Sequence, residues 1–392
     1  MWNRLVKNRL EHLWSHFPAV LLLGARQVGK TTLARSAFPD SPYCDLEDLG
    51  TRQSFAHDPA FQIETREKRG LILDEAQFVP EVFQSLRGII DAARDQNGRF
   101  LILGSAQPAL IRHASESLAG RVGIVDLDPL VAAEVRSGAP PLDWPRLWLA
   151  GGFPGAQRHA GGFREWWEAY LRTFITRDLP QYGIGADPLL MRRLLTMLAH
   201  QQGGLFNASQ LANALGVSHH TVQRYVEIFE QTFLVRRLTP YFRNIRRRLI
   251  KAPKIYLRDT GLLHHLLNIS TLEELDSHPG KGASWETFVI EDLLRREQLN
   301  SLHSQTHFWR TADGEEADLV IDRGGELFIV EIKAGSGADR ETVRKLTNCL
   351  GSMNAKAGWI ISQAPGTEPL APGIERRGYS ECIDWLPSEP SP

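Results

Sequence analysis

The chain has 392 residues, enough for about two to four domains and a large core. Its 45 Lys and Arg against 46 Asp and Glu leave a formal charge of −1, which excludes a uniformly polyanion-binding protein and leaves any nucleic-acid surface to local clustering. Cys44, Cys349 and Cys382 lack both metal-site spacing and the even count of a disulfide framework, and no apolar run approaches the roughly 20 residues that span a bilayer. The expectation is a cytoplasmic protein with reduced thiols and no membrane partner.

Residues 4–16 place Leu5, Leu10, Leu13 and Trp14 on one face of an amphipathic helix. The apolar run 19–23 then leads into Gly24-Ala25-Arg26-Gln27-Val28-Gly29-Lys30-Thr31-Thr32, and Leu33-Ala34-Arg35 continues as a helix. This is the spacing of a phosphate-binding P-loop. The two glycines let successive N–H groups turn inward on phosphate oxygens, and the helix N-terminus adds its positive dipole. In an ATP site Lys30 reaches the β- and γ-phosphates, Thr31 places its hydroxyl on Mg²⁺, and Thr32 continues the helix.

Hydrolysis needs an acid at a neighbouring strand end, and Leu71-Ile72-Leu73-Asp74-Glu75 supplies one. Asp74 is the candidate for the Mg²⁺ shell and Glu75 the residue to orient or deprotonate the attacking water. A third strand, 100–103, runs into Gly104-Ser105-Ala106-Gln107, with Ser105 the candidate γ-phosphate sensor and Gln107 an alternative. A short strand at 43–46, a helix at 82–94 stopped by Asn97-Gly98 and a fifth strand at 122–127 complete a βα alternation. An α/β fold with a mainly parallel sheet covered on both faces follows. Arg121, just before the fifth strand, is either a finger onto the γ-phosphate of a neighbouring subunit in a homo-oligomer or a surface arginine in an ion pair.

Beyond Asp128 the pattern turns helical and aromatic, with Trp166, Trp167, Tyr170 and Phe174 at helical spacing in 163–180. These read as core, and Arg172, Arg177 and Asp178 either pair with one another, the preferred reading, or face nucleotide in a ring. Residues 208–226 have helix-turn-helix form: Gly216 makes the turn, Val217 plugs between helices, and Ser218 caps the second. On that helix His219, His220, Gln223 and Arg224 are the exposed reading positions for DNA, with a scaffold or oligomer contact as the alternative. The segment 236–258 then carries Arg236, Arg237, Arg243, Arg246, Arg247, Arg248, Lys251, Lys254 and Arg258 without one acid, interleaved with Tyr241, Phe242 and Tyr256. That is a local polyanion footprint. A strand pair whose charges are answered by acids elsewhere in a near-neutral chain is the competing arrangement.

A polar linker, 276–282, precedes a helix at 285–296 carrying Glu286 and Glu291. A strand at 308–310 and a hairpin over 316–333 with a glycine turn follow. Strand alternation puts Leu327, Ile329, Glu331 and Lys333 on one face, with Asp318 beside them on the partner strand. Two carboxylates, Asp318 and Glu331, and a water-orienting Lys333 suit a divalent metal and phosphodiester hydrolysis, and an ion-paired surface is the alternative, less attractive for charges set inside an apolar strand.

The stretches 24–32, Leu73-Asp74-Glu75-Ala76-Gln77, Gly104-Ser105, Ala119-Gly120-Arg121, Tyr256-Leu257-Arg258-Asp259-Thr260-Gly261-Leu262 and Val330-Glu331-Ile332-Lys333 together resemble bacterial and archaeal AAA-type ATPases with a C-terminal domain of unknown function. The resemblance implies a P-loop ATPase core at 1–128, a helical lid or linker at 129–204, a winged helix-turn-helix with its basic segment at 205–272, and at 273–392 an α/β domain similar to PD-(D/E)xK restriction-endonuclease-like nucleases. Asp318, Glu331 and Lys333 fall on the nuclease motif and Glu286 on its preceding helix. The polar sensor departs from the family's usual Asn or Thr in being Ser105, and no second sensor arginine is evident. The function expected is Mg-dependent ATP hydrolysis coupled to nucleic-acid binding, with metal-dependent nuclease activity at the C-terminal end; the alternative is an ATP-switched DNA-binding regulator without nuclease activity. A small-molecule kinase is disfavoured by the long helical and basic extension.

Overall fold

The computed structural model describes residues 2–105, 108–138, 140–159, 161–181, 185, 187–242, 250–300, 304–312, 314–335 and 337–385. Five apolar runs become β1 (Ala19–Leu23), β2 (Tyr43–Asp45), β3 (Leu71–Asp74), β4 (Phe100–Gly104) and β5 (Val122–Asp126). They pair in parallel in the order β2-β3-β4-β1-β5. Every residue of β1, β3 and β4 is buried, as required of strands with helices on both faces. On one face Leu21, Leu73 and Ile102 meet Val82, Phe83, Leu86 and Ile90 of the helix Glu81–Ala92. On the other, Val20, Leu22 and Leu101 meet Leu10, Leu13 and Leu33. The first helix, Val6–His16, buries Leu10 and Leu13 as its spacing requires, but Leu5 precedes it and is exposed.

The middle of the chain does not form a core of its own. Phe153, Trp167, Tyr170, Leu194, Phe229 and Leu262 join the cluster that contains Val20 and Leu22, so the helices Phe163–Thr173, Pro188–His200 and His219–Gln231 pack as one mass with the ATPase-like sheet. Burial of each large apolar side chain contributes roughly 1.5–3 kcal/mol before entropy is counted. Leu130, Val135, Leu147 and Trp148 belong instead to the cluster of the C-terminal sheet. Hydrophobic clusters therefore cross the expected boundaries at 128/129, 204/205 and 272/273, because aromatic helices with two apolar sides need partners on both.

The helix Ala208–Leu215 is capped by the Asn207 side chain, ends at Gly216 in the left-handed region (φ 69°), and is followed by His219–Gln231, whose N-cap Ser218 accepts from Thr221 N at 3.1 Å. Two antiparallel strands, β6 (Val235–Leu238) and β7 (Lys254–Leu257), come after it. The C-terminal sheet comprises β8 (Ser304–Arg310), β9 (Glu316–Arg323), β10 (Glu326–Lys333), β11 (Ala357–Ser362), β12 (Thr367–Ala371) and β13 (Ile374–Gly378). Its order is β12-β13-β11-β10-β9-β8, and it is mixed, with β10–β11 and β11–β13 parallel and the other pairs antiparallel. The expected hairpin is β9–β10, turned by Gly324 and Gly325 at φ 66° and 98°. The helices Lys281–Asn300 and Arg340–Met353 supply apolar side chains to the two clusters that enclose this sheet. All three cysteines are buried thiols, and among the described residues no helix is long and apolar enough to cross a membrane.

Candidate functional site

The parallel sheet brings the P-loop and the β3 acids to one edge, because β1 and β3 both end there. The loop follows β1 directly, and Gly29 precedes the helix Lys30–Ala37 at φ 106°, a left-handed conformation that glycine adopts without strain. A side chain at Gly24 would collide with the Leu127 carbonyl, so the start of the loop is pressed against the end of β5. Lys30 is 6% exposed and donates to the Gly24 and Ala25 carbonyls at 3.0 Å each. Burial lowers its pKa, opposed by the charges of Glu75 and Asp74.

Thr31 Oγ1 donates to Asp74 Oδ2 at 2.6 Å, and Tyr43 OH donates to the same oxygen at 2.8 Å. The structure thus brings together Lys30, Thr31, Asp74 and Glu75 as expected, and adds Tyr43, which no motif marked. Burial and the Asp74 charge raise the Tyr43 phenol, so it stays a donor. Glu75 adopts φ 53°, ψ 46°, a left-handed conformation that costs a non-glycine residue energy, and its carboxylate accepts from Gln77. Ser105 follows β4 half-buried; Gln107 lies outside the described residues. The hydroxyl of Thr31 and the carboxylate of Asp74, already in contact, are the hard oxygen donors that Mg²⁺ takes alongside water and phosphate.

Two segments absent from the motif reading close on this loop. Arg4, ahead of the first helix, donates to the Val28 carbonyl at 3.1 Å and to the Asp128 carbonyl, and is ion-paired with Glu134 at 3.2 Å. The π-helical turn Phe174–Asp178 approaches from the helical region: Asp178 pairs with Arg26 of the loop and Arg177 with Glu47. Asp178 is therefore paired with the P-loop and Arg177 with the segment after β2, while Arg172 is exposed. A cavity of 270 Å³ opens beside Gly29 and Thr32, lined by Trp2, Arg4, Ser36, Leu130, Pro154 and Arg158, with the Arg158 guanidinium 5.9 Å from the Trp2 ring centre. Arg121 lies at the opposite ends of β1 and β5, bonded to Asp91 at 2.8 and 3.0 Å. Within one chain it is the ion-paired arginine of the two alternatives.

The described cations of the basic segment do not form the expected open phosphate surface. Arg236 pairs with Glu291 at 2.5 Å, Arg237 with Glu230 at 2.5 Å, Arg258 with Asp128 at 2.5 Å and Glu291 at 3.4 Å, and Lys254 with Glu316 at 2.7 Å. These four cations face carboxylates from elsewhere in the fold, the competing arrangement, and are spent on tertiary pairing rather than on a phosphate surface. Burial works against the Glu291 carboxylate, yet Arg236 and Arg258 outweigh it and draw its pKa to about 2. Arg243, Arg246, Arg247 and Arg248 lie outside the described residues, and Lys251 is exposed. His219, His220, Gln223 and Arg224 stand on the exposed side of their helix.

At the C-terminal end Asp318 sits one residue beyond the Leu319–Val330 pair, next to Glu331, and accepts from Ile332 N at 2.8 Å. Burial and the charge of Asp318 push Glu331 and Glu286 up to about 7. Lys333 pairs with Glu331 at 2.6 Å, while Lys254 enters among Glu286, Glu316 and Asp318. The expected carboxylates converge, but each faces a lysine, and among the described residues no group of three or more His, Cys, Asp or Glu is arranged to hold a metal. The set Asp318 and Glu331 does not fit a divalent ion in this arrangement.

Comparison with known proteins finds three matched family models along the chain. Residues 16–136 match the family described as an AAA domain, and residues 142–273 and 281–374 match two domains of unknown function, DUF8612 and DUF4143. The uncharacterized proteins Rv2008c of Mycobacterium tuberculosis and Mb2031c of Mycobacterium bovis are each 42% identical over 333 residues, covering 84% of this chain and 73% of theirs. An uncharacterized protein of Haemophilus influenzae is 23% identical over 287 residues, covering 68% of this chain and 66% of its own. Among solved structures, the Walker-type ATPase PABY2304 of Pyrococcus abyssi covers 67% of this chain and 94% of its own at 14% identity and a TM-score of 0.45.

Proposed function

This chain belongs to the family of the mycobacterial proteins Rv2008c and Mb2031c and carries an AAA-type P-loop ATPase domain, and from that premise we propose that it binds Mg-ATP at residues 24–32 and hydrolyses it. The observation that carries the reading is the contact of Thr31 with Asp74 at 2.6 Å beneath a buried Lys30, with Glu75 next in line. The loop N–H groups and Lys30 bind the terminal phosphates. Thr31 and Asp74 hold Mg²⁺, which when bound offsets charge on the phosphates. Glu75 orients the attacking water and accepts its proton, and Ser105 contacts the γ-phosphate. The cavity lined by Trp2, Pro154 and Arg158 adjoins the loop where a nucleoside leaves its phosphates, and the indole of Trp2 gives an aromatic face to a base.

A second layer of the reading is an ATP-switched nucleic-acid contact through His219, His220, Gln223 and Arg224, favoured by their common exposure on a capped helix behind a Gly216 turn. A homo-oligomer in which Arg121 leaves Asp91 for a neighbour's γ-phosphate belongs to the same reading.

Phosphate release at saturating ATP tests the core of it. Glu75→Gln is expected to lower kcat by roughly 10²–10⁴ while ATP still binds. Lys30→Ala is expected to weaken binding itself. A folded wild-type chain that binds no ATP, or a Glu75→Gln chain that loses binding, rejects these roles.

A further inference from the structure

The C-terminal carboxylates already have a cation, and it comes from the chain. Lys254, the first residue of β7, is 3% exposed, and its ammonium lies 2.7 Å from Glu316 Oε1, 3.1 Å from Glu286 Oε1 and 3.7 Å from Asp318 Oδ1. The three acids come from two elements, the helix Lys281–Asn300 and the strand β9, and meet around one point. Two residues along β7, on the same face by strand alternation, Tyr256 OH donates to Glu286 Oε1 at 2.6 Å. One short strand thus presents an ammonium and a hydroxyl to a carboxylate pocket of the C-terminal unit.

A divalent ion among these acids would bring them to about 2.0–2.6 Å from its centre. A lysine ammonium is a compact point charge with three donors, and here it lies within hydrogen-bond distance of Glu316 and Glu286 and in ion-pair range of Asp318. The Phe308 ring, 5.7 Å from the lysine nitrogen, adds an aromatic face to the same pocket. The remaining candidate pair, Glu331 and Lys333, is closed on itself at 2.6 Å.

We propose that Lys254 occupies, among Glu286, Glu316 and Asp318, the position a divalent cation would take, so that the cluster is a lysine-held joint between the β6–β7 pair and the C-terminal sheet and takes up no metal while that joint is closed. The inference is independent of ATP hydrolysis, since none of these residues touches the P-loop. Any metal chemistry at Asp318 first requires β7 to withdraw.

Mn²⁺ binding to the nucleotide-free full chain, followed by the loss of the free-ion signal in electron paramagnetic resonance, is the test. An Asp74→Asn background removes the P-loop carboxylate from the count. In that background the chain is expected to show no Mn²⁺ site that Asp318→Asn abolishes. Adding Lys254→Met is expected to create one site per chain, bound at least tenfold more tightly than anything in the parent, and Asp318→Asn should then remove it. An Asp318-dependent site in the parent overturns the proposal, and so does a folded Lys254→Met chain that gains no site. Should Lys254→Met unfold because its buried acids are left without a cation, Mn²⁺ is expected to restore its thermal transition; failure of Mn²⁺ to do so also overturns it.

Discussion

Arg26, inside the phosphate-binding loop, is ion-paired with Asp178, which lies 152 residues further along the chain on a π-helical turn. Asp178 is buried, and its charge also reaches Lys30. The segment that carries it rides on the aromatic helix Phe163–Thr173, so the loop is closed by a side chain anchored in the core rather than by a free surface loop.

From this pair comes the first prediction. Asp178→Asn removes a negative charge beside the triphosphate position and releases Arg26 to bind phosphate. ATP affinity is expected to rise about three- to tenfold, or about 0.6–1.4 kcal/mol for one partly screened charge. Titration of a fluorescent ATP analogue at low and high salt measures it. Unchanged or weaker affinity would show that Arg26 does not move between the two anions.

Arg121 offers a sharper division. Its two bonds to Asp91 leave it on the rim of the sheet, where a neighbour could recruit it. Arg121→Ala is expected to cut hydrolysis by roughly 10³ or more with ATP affinity nearly intact, the size of a missing arginine finger. Mixing it with Glu75→Gln should restore part of the rate, since one intact interface forms. A monomer in the presence of ATP with undiminished turnover would retire the finger and leave only the ion pair.

Glu291 ties three guanidiniums, those of Arg236, Arg258 and Arg295, into the interior of the molecule. Removing the acid leaves those charges buried without it. Glu291→Gln is therefore expected to destabilise the fold by about 3–5 kcal/mol, measured by urea unfolding. A loss below about 1 kcal/mol, the range of exposed pairs, would mean that water reaches the cluster.

The pH dependence of stability should carry a signature of His264. Its ring lies 2.9 Å from the Leu149 carbonyl and 2.6 Å from Ser284 Oγ, and burial lowers its pKa from 6.5 to about 4. Because the folded value is the lower one, the unfolded chain takes up the proton first. The contribution is complete above pH 6.5 and is lost as pH falls towards 4, amounting to about 3 kcal/mol across that window. His264→Gln should cost stability at neutral pH and progressively less in acid. A difference between the two proteins that stays constant from pH 7 to 4 would exclude this titration.

What the sequence determined by itself is local. A strand, a glycine-bounded loop and a helix in succession specify a phosphate cradle, because backbone N–H groups within about nine consecutive residues make it. Alternation of apolar strands with helices likewise determines a parallel sheet, and that sheet carries β3 to the same edge as the loop. Tertiary structure decided where charge goes. Read along the chain, Arg236, Lys254 and Arg258 form one basic run; in the fold Arg258 meets Asp128 at a separation of 130 residues, Arg236 meets Glu291 at 55, and Lys254 meets Glu286 at 32. Periodicity shows which face a side chain occupies, whereas the identity of the group opposite depends on how distant elements pack. For the same reason Asp318 and Glu331 were legible as neighbours across a hairpin, while the lysine between Asp318 and Glu286 was not: it arrives on a strand from another part of the chain, drawn there because buried carboxylates are costly without a cation.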